Sequence, residues 1–329
     1  MKRILTGDRP TGPLHLGHYV GSLRNRVKLQ DKYDTFIIVA DVQALTTHWE
    51  TPELLKQNVR EVAIDNLAAG LDPEKASIFV QSMVPQIAEL TVFFGLYTTV
   101  SRLRHNPTIK TEAKQYGFTD MTYGFLGYPV SQAADILFCR ADLVPVGEDQ
   151  LPHVEVTRFI ARRFNELYGQ VFPEPDALVS DVSRLAGLDG GAKMSKSLGN
   201  AIYLKDDPFE IGKKVMSAVT DPARIRKDDP GHPEICTIFS YHKAFNPGEV
   251  PEIEESCRKG AIGCVACKKN LTACLEEILA PIRERRKQFE APGVVDDILR
   301  AGTERAVRSG AETMQMVREA MQTDYWKEG

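Results

Sequence analysis

The sequence predicts an α/β protein: a doubly wound parallel sheet followed by an all-helical segment. Three observations carry that expectation. Through about residue 205, short and nearly continuous apolar runs alternate with helical patterns. Strands buried on both faces of a parallel sheet read as such runs, and the helices between them supply the crossovers that parallel pairing needs. Beyond about Leu204 the β-like runs stop and only helical spacing remains.

Arg3 to Gly7 forms the first strand and runs through a loop containing Pro10, Gly12 and Pro13 into a helical pattern from Leu16. Such a junction aims backbone N–H groups at an anion. Thr35–Ala40 is the second strand, Ser77–Gln81 the third and Asp142–Val146 the fourth. A helix over 52–69 opens with Thr51 as N-cap, Pro52 in the first turn and Glu53 just inside. Ligands of such sheets bind at the carboxyl ends of the strands. Helical spacing puts Tyr128, Gln132 and Asp135 on one face, at i, i+4 and i+7. Later helices are expected over 206–216, in a cysteine-containing region reaching about Glu290, and over 303–321, with a Pro-rich loop at 221–233.

At 329 residues the chain suits two domains. Its 43% hydrophobic and 26% charged content is that of an ordinary soluble globular protein. The most apolar stretch, Leu90 to Val100, is broken by Gly95 and threonines and falls short of the ~18 residues of a membrane helix. With a strand opening at Arg3, no targeting segment is expected, and the cytoplasm is the expected location. A net charge of −4 announces no nucleic-acid partner in bulk, but eight Lys/Arg against four acids between Cys257 and Ala291 leave a local +4. A solvated helix face and an RNA footprint explain such a run equally well.

Two motifs carry chemistry. His15-Leu16-Gly17-His18 opens the first helix, and Lys193-Met194-Ser195-Lys196-Ser197 follows the loop Asp189-Gly190-Gly191-Ala192. Alone, the first is a helix cap with a solvated histidine and the second a basic loop. Two flexible cations also suit a pyrophosphate whose charge grows as a bond to it breaks. Found together in this order, 175 residues apart (193 − 18), they resemble the HIGH and KMSKS motifs of the class I aminoacyl-tRNA synthetases. The segments Tyr128–Leu137 and Val144–Gln150, the opening Arg3–Gly12 and the ending around Gly302-Thr303-Glu304 are similar to those of bacterial tryptophanyl-tRNA synthetases. The resemblance spans essentially the whole chain. Tyrosyl-tRNA synthetases share the fold and a related Tyr-Pro…Gln…Asp-Ile pattern and are the alternative. A catalytically inactive tRNA-binding paralogue and a nucleotidyltransferase making a small-molecule adenylate are more distant ones.

The resemblance implies a Rossmann-like catalytic domain over 1–205, completed by a C-terminal helix within 293–329, and a helical anticodon-binding domain over 206–292. It implies a homodimer without membrane association that joins L-tryptophan to tRNA(Trp), using ATP with Mg²⁺ held mainly by phosphates. With those motifs present, the basic run favours its RNA reading. Arg9, Pro10, Thr11, His15, Gly17 and His18 are expected at the nucleotide, as are Gly147, Glu148, Asp149 and Leu185. Lys193, Met194, Ser195, Lys196 and Ser197 are expected at the leaving pyrophosphate, with Lys110 or Lys114 as a further cation. His15, His18, Lys193 and Lys196 are the expected catalytic residues. Leu5, Gln43, Tyr128, Gln132, Asp135 and Gln150 are expected at tryptophan, with Asp135 accepting the single indole N–H. A buried acceptor rejects side chains that lack a donor. The ordinary alternative pairs Asp135 with a nearby arginine. Two positions depart from many bacterial relatives, which carry Met for Gln132 and His for Gln43. The first motif keeps both histidines where many relatives have Thr and Asn.

Six cysteines remain. Cys264 and Cys267 form a CxxC pair, with Cys257 seven residues before and Cys236 twenty-one residues earlier still. In a cytosolic enzyme such clustering favours metal over disulfide. Zinc sites usually use two short-spaced pairs, and four thiolates suit an iron–sulfur cluster equally well. Reduced thiols are the remaining possibility, and Cys274 is a competing ligand. Some bacterial tryptophanyl-tRNA synthetases carry a [4Fe–4S] cluster on Cys-x₆-Cys-x₂-Cys and a distant fourth cysteine. On that resemblance Cys236, Cys257, Cys264 and Cys267 are expected to hold a cluster, with zinc second.

Overall fold

The computed structural model describes residues 1–179, 185–191, 194, 198–226 and 228–326. In chain order its elements are β1 (Arg3–Asp8), α1 (Leu16–His18), α2 (Arg24–Leu29), β2 (Asp34–Val39), α3 (Asp41–His48), α4 (Leu55–Ala68), β3 (Ala76–Val80) and α5 (Pro85–Gly95). Then come α6 (Val100–His105), α7 (Pro107–Gln115), α8 (Tyr123–Leu137), β4 (Leu143–Val146), α9 (Leu151–Tyr168) and β5 (Asp176–Val179). The helices α10 (Pro208–Ser217), α11 (Thr237–Phe245), α12 (Val250–Arg258), α13 (Cys264–Phe289) and α14 (Val294–Ala320) complete the described chain.

The strands pair in parallel in the order β3-β2-β1-β4-β5, the doubly wound sheet that the apolar runs predict. Alternation along each strand feeds two cores. Ile37, Val39 and Ile78 face α1 and α4, whereas Phe36, Ile38 and Phe79 face the aromatic layer around Phe94, Phe125 and Phe138. On α13, Leu271, Leu275, Leu279 and Ile282 form a buried stripe that joins the first of these cores. Among the described residues no helix is long and apolar enough to cross a membrane.

The final helix begins at Val294, nine residues before the expected Thr303 (303 − 294). Gly302 lies inside it because only a residue without a side chain fits there: a Cβ would sit 2.0 Å from the Ile78 carbonyl oxygen. That approach seats α14 directly on β3. The helix at Pro52 starts as a 3₁₀ turn over Pro52–Leu54, and Thr51 makes no side-chain cap, contrary to expectation. Pro52 fixes φ for the turn without a hydroxyl to satisfy its N–H groups.

Candidate active site

Strands β1 and β4 pair only at Ile4 and Leu143 and then diverge. Pro145, lacking an N–H, cannot extend the ladder, and its carbonyl accepts the Thr6 hydroxyl at 3.2 Å instead. The gap opens at the point where the strand order reverses, the usual ligand crevice of a doubly wound sheet. A cavity of about 370 Å³ occupies it. Asp8 forms part of the wall, paired to Arg26 at 2.5 Å, with Asn66 bridging the two. Burial raises the Asp8 pKa, but Arg26 overrides this and holds it at about 2.

All six expected tryptophan residues, Leu5, Gln43, Tyr128, Gln132, Asp135 and Gln150, line this cavity. Asp135 is 4% exposed, and its carboxylate is held not by an arginine but by Gln81, whose Nε2 donates to both oxygens at 2.8 and 3.0 Å. The Gln81 Oε1 accepts the Gln43 N–H at 3.0 Å, which fixes the amide orientation. Burial raises the Asp135 pKa to about 7; Gln81 opposes this and the neighbouring Asp41 adds to it. Gln43 Oε1 is a buried acceptor with no partner among the described residues. The Tyr128 hydroxyl shares a hydrogen bond with His153 Nε2 at 3.0 Å. Glu112, which Arg9 reaches at 3.3 Å, also lies near it.

His18, Arg9 and Gly147 line the same cavity, so the first motif and the amino-acid end share one space. His15 caps α1 by accepting the Gly17 N–H at 3.1 Å, while His18 Nδ1 accepts the His15 N–H at 3.3 Å. The segment is clamped from the other side: Leu16 donates to Ile202 at 2.9 Å and Leu204 to Leu14 at 3.0 Å. Gly17 lies against the second motif, since a Cβ there would meet the His15 ring at 2.8 Å and Met194 at 3.6 Å. Met194 is buried and its N–H reaches the Leu185 carbonyl at 3.5 Å. Leu185 is likewise a core residue in the structure. Pro10 is buried and Thr11 exposed in the loop after β1. Glu148 and Asp149 form a one-turn helix with Gln150. Lys110 and Lys114 are exposed on α7. Lys193, Ser195, Lys196 and Ser197 lie outside the described residues.

The family model of class I tRNA synthetases for tryptophan and tyrosine matches residues 1–280. The chain belongs to this family. A tryptophan–tRNA ligase of Thermotoga maritima is 50% identical over 324 residues, covering 97% of this chain and 98% of its own length. One from Treponema pallidum is 49% identical over 326 residues, covering 98% and 97%. Among solved structures, tryptophanyl-tRNA synthetase from Campylobacter jejuni, complexed with ADP and tryptophan, aligns at a TM-score of 0.86 and 33% identity. That alignment covers 97% of this chain and 99% of the other.

Beyond the family's sheet, the structure gathers four of the six cysteines. Each of Cys236, Cys257, Cys264 and Cys267 lies within electrostatic reach of the other three. Arg224 Nη1 stands 3.9 Å from both the Cys257 and Cys264 sulfurs. Cys274 is set apart, facing Glu277 and Glu249. No three His, Cys, Asp or Glu side chains among the described residues converge closely enough to hold one metal ion.

The basic run after Cys257 is not a free stripe. Lys268 is buried and donates to the Met216 and Ala218 carbonyls at 2.8 and 2.7 Å. Arg286 is buried against Asp65, Glu61 and Glu290, Arg285 donates to Ala68, and Arg283 pairs with Glu276. Arg258, Lys259 and Lys287 pair with acids one turn away on their own helices. Lys269 is left as the member of the eight without such a partner among the described residues. The surface expected from the local charge count is therefore largely spent on internal contacts.

Gln81, which in sequence is the end of the third strand, is the residue that holds Asp135 in the structure; a polar side chain at the carboxyl end of an apolar strand is the signal that could have found it.

Proposed function

We infer that this protein activates L-tryptophan with ATP, forming tryptophanyl-adenylate and pyrophosphate, and transfers the tryptophan to the 3′ end of tRNA(Trp). The observation that carries this reading is one cavity at the β1–β4 divergence that both the buried Asp135 and His18 line. Near-full-length similarity to tryptophan–tRNA ligases accompanies it.

In this reading the tryptophan carboxylate, already ionised, attacks the α-phosphate in line, and no general base is needed. Alignment of the two reactants contributes roughly 7–11 kcal/mol. Asp135 accepts the indole N–H while Gln81 holds it from behind. Tyr128, Gln150 and the open Oε1 of Gln43 supply polar contacts for the amino-acid head, and Leu5 and Gln132 shape the ring pocket. His15 and His18 meet the phosphates, together with Arg9, Pro10, Thr11 and Gly17; Gly147, Glu148 and Asp149 meet the ribose. Lys193 and Lys196, with Ser195 and Ser197, neutralise the departing pyrophosphate, and Mg²⁺ rides on the phosphates. Lys110 or Lys114 is a further candidate cation.

The division into a catalytic unit over 1–205 plus α14, and a helical anticodon-binding unit over 206–292, belongs to this proposal. So do residence in the cytoplasm and a homodimer. In support of the dimer, Val92 on α5 and Leu96 just past its end are 64% and 68% exposed, with Met83 and Val100 nearby in sequence at 62% and 54%.

A [4Fe–4S] cluster on Cys236, Cys257, Cys264 and Cys267 is proposed as well. Four coupled thiols beside a guanidinium suit an anionic cluster. When bound, it would stiffen the helical region, away from the adenylation site.

Charging of tRNA(Trp) transcript with labelled tryptophan by the purified chain tests the function. Acid-stable label on the 3′ end supports it; no labelling in the presence of ATP and Mg²⁺ defeats it.

A further inference from the structure

Asp65, on α4, is fully buried, with 0% of its surface exposed. One carboxylate oxygen accepts the Leu14 N–H at 2.7 Å, immediately before His15. The other pairs with Arg286 at the far end of α13. Arg286 also reaches Glu61 at 2.6 Å and Glu290 at 2.7 Å, while Lys205 pairs with Glu61 at 3.1 Å. Arg285 ties the same turn of α13 to the Ala68 carbonyl at 2.7 Å. The backbone around His15 is thus held on one side by residues 202 and 204 and on the other by a single carboxylate.

A buried ion pair is a weak device for stability, because desolvating both charges offsets their attraction. Its particular product here is an oriented acceptor for one backbone N–H. We propose that Asp65 and Arg286 are positioning residues for the nucleotide chemistry: the α4–α13 ion pair fixes the Leu14–His15 backbone and thereby sets where His15 and His18 meet the phosphates. This rests on the reading of His15 and His18 as nucleotide-binding. Because α13 carries Cys264 and Cys267 in its first turn and Arg286 in its last, the pair also joins the helical region to the nucleotide loop.

The test compares the full-length parent with D65N, R286Q, R286K and the double variant D65N/R286Q in ATP–pyrophosphate exchange, with melting temperatures recorded for each. ATP affinity is measured in parallel by calorimetry. In D65N an amide cannot serve both Leu14 and Arg286 as acceptor without presenting a donor to one of them. Loss of one charge-assisted hydrogen bond predicts that KM and Kd for ATP rise about tenfold or more in D65N and R286Q, with the tryptophan KM within about twofold. The double variant, whose two amides can bond each other, and R286K should recover part of the loss. Equal changes in both KM values, or a lowered melting temperature with unchanged ATP affinity, would overturn the proposal. A parent that binds ATP but catalyses no exchange would defeat the enzymatic reading instead, and the calorimetric comparison would still decide this one.

Discussion

Asp135→Asn separates recognition from stability at one position. Gln81 cannot rotate its amide without losing the Gln43 N–H, so its Nε2 stays on residue 135. The variant amide must therefore turn its oxygen to Gln81, and its NH₂ then faces the indole N–H. One charge-assisted bond is lost and two donors confront each other, at a cost of about 3 kcal/mol, or ~150-fold in kcat/KM for tryptophan. Stability moves the other way. Burial, with Asp41 adding to it, raises the Asp135 pKa from 3.8 to about 7. A folded pKa above the unfolded one means that the associated stability is complete below about pH 4 and is lost as the pH climbs to about 7. At 1.36 kcal/mol per pH unit the loss is at most about 4 kcal/mol. The Asn variant escapes it, and so should be more stable than the parent at pH 8, with the difference shrinking toward pH 4. Pyrophosphate exchange at pH 8 and urea unfolding at pH 5 and 8 measure both effects. A variant within threefold of the parent in kcat/KM would rule out Asp135 as the indole acceptor, and a stability difference that does not grow with pH would rule out its raised pKa.

Lys196→Ala should slow adenylate formation by orders of magnitude and leave the tryptophan KM nearly unchanged, because the charge it meets develops in the transition state; pre-steady-state exchange reads this directly. Gly302→Ala should destabilise the fold by about 3 kcal/mol or more in urea melts, since a methyl there meets the β3 backbone, which cannot yield as a side chain would. Anaerobically purified protein should be brown, absorb near ~400 nm and contain about four irons per chain. Cys264→Ser should lose the colour and Cys274→Ser keep it; colourless anaerobic protein without iron would contradict the cluster.

Much of the fold was legible because burial on both faces writes itself as unbroken apolar runs. The first four strands lie within about one residue of their expected bounds. The fifth, Asp176–Val179, is a short and partly exposed edge strand that opens on an acid, so it carries no such run. The start of α14 was hidden by Gly302, which looks like a break and is in fact a point of close approach. Of the six tryptophan candidates, Tyr128, Gln132 and Asp135 came from a helical face and Leu5, Gln43 and Gln150 from the resemblance, and all of them line the cavity. What local reading could not supply were partners distant in sequence. Arg286 looks like part of a basic surface until Asp65 and Glu61, more than two hundred residues away, are seen against it. Gln81 reads as a strand terminus until Asp135 is brought to it from 54 residues on.

Selection of tryptophan for adenylation rests on this cavity. ATP–pyrophosphate exchange by the purified chain, with tryptophan and tyrosine measured side by side, tests it most directly. Robust exchange with tryptophan is expected, with at least a hundredfold lower kcat/KM for tyrosine, about 3 kcal/mol at 1.4 kcal/mol per tenfold. Equal exchange with both amino acids, or exchange with tyrosine alone, would contradict it.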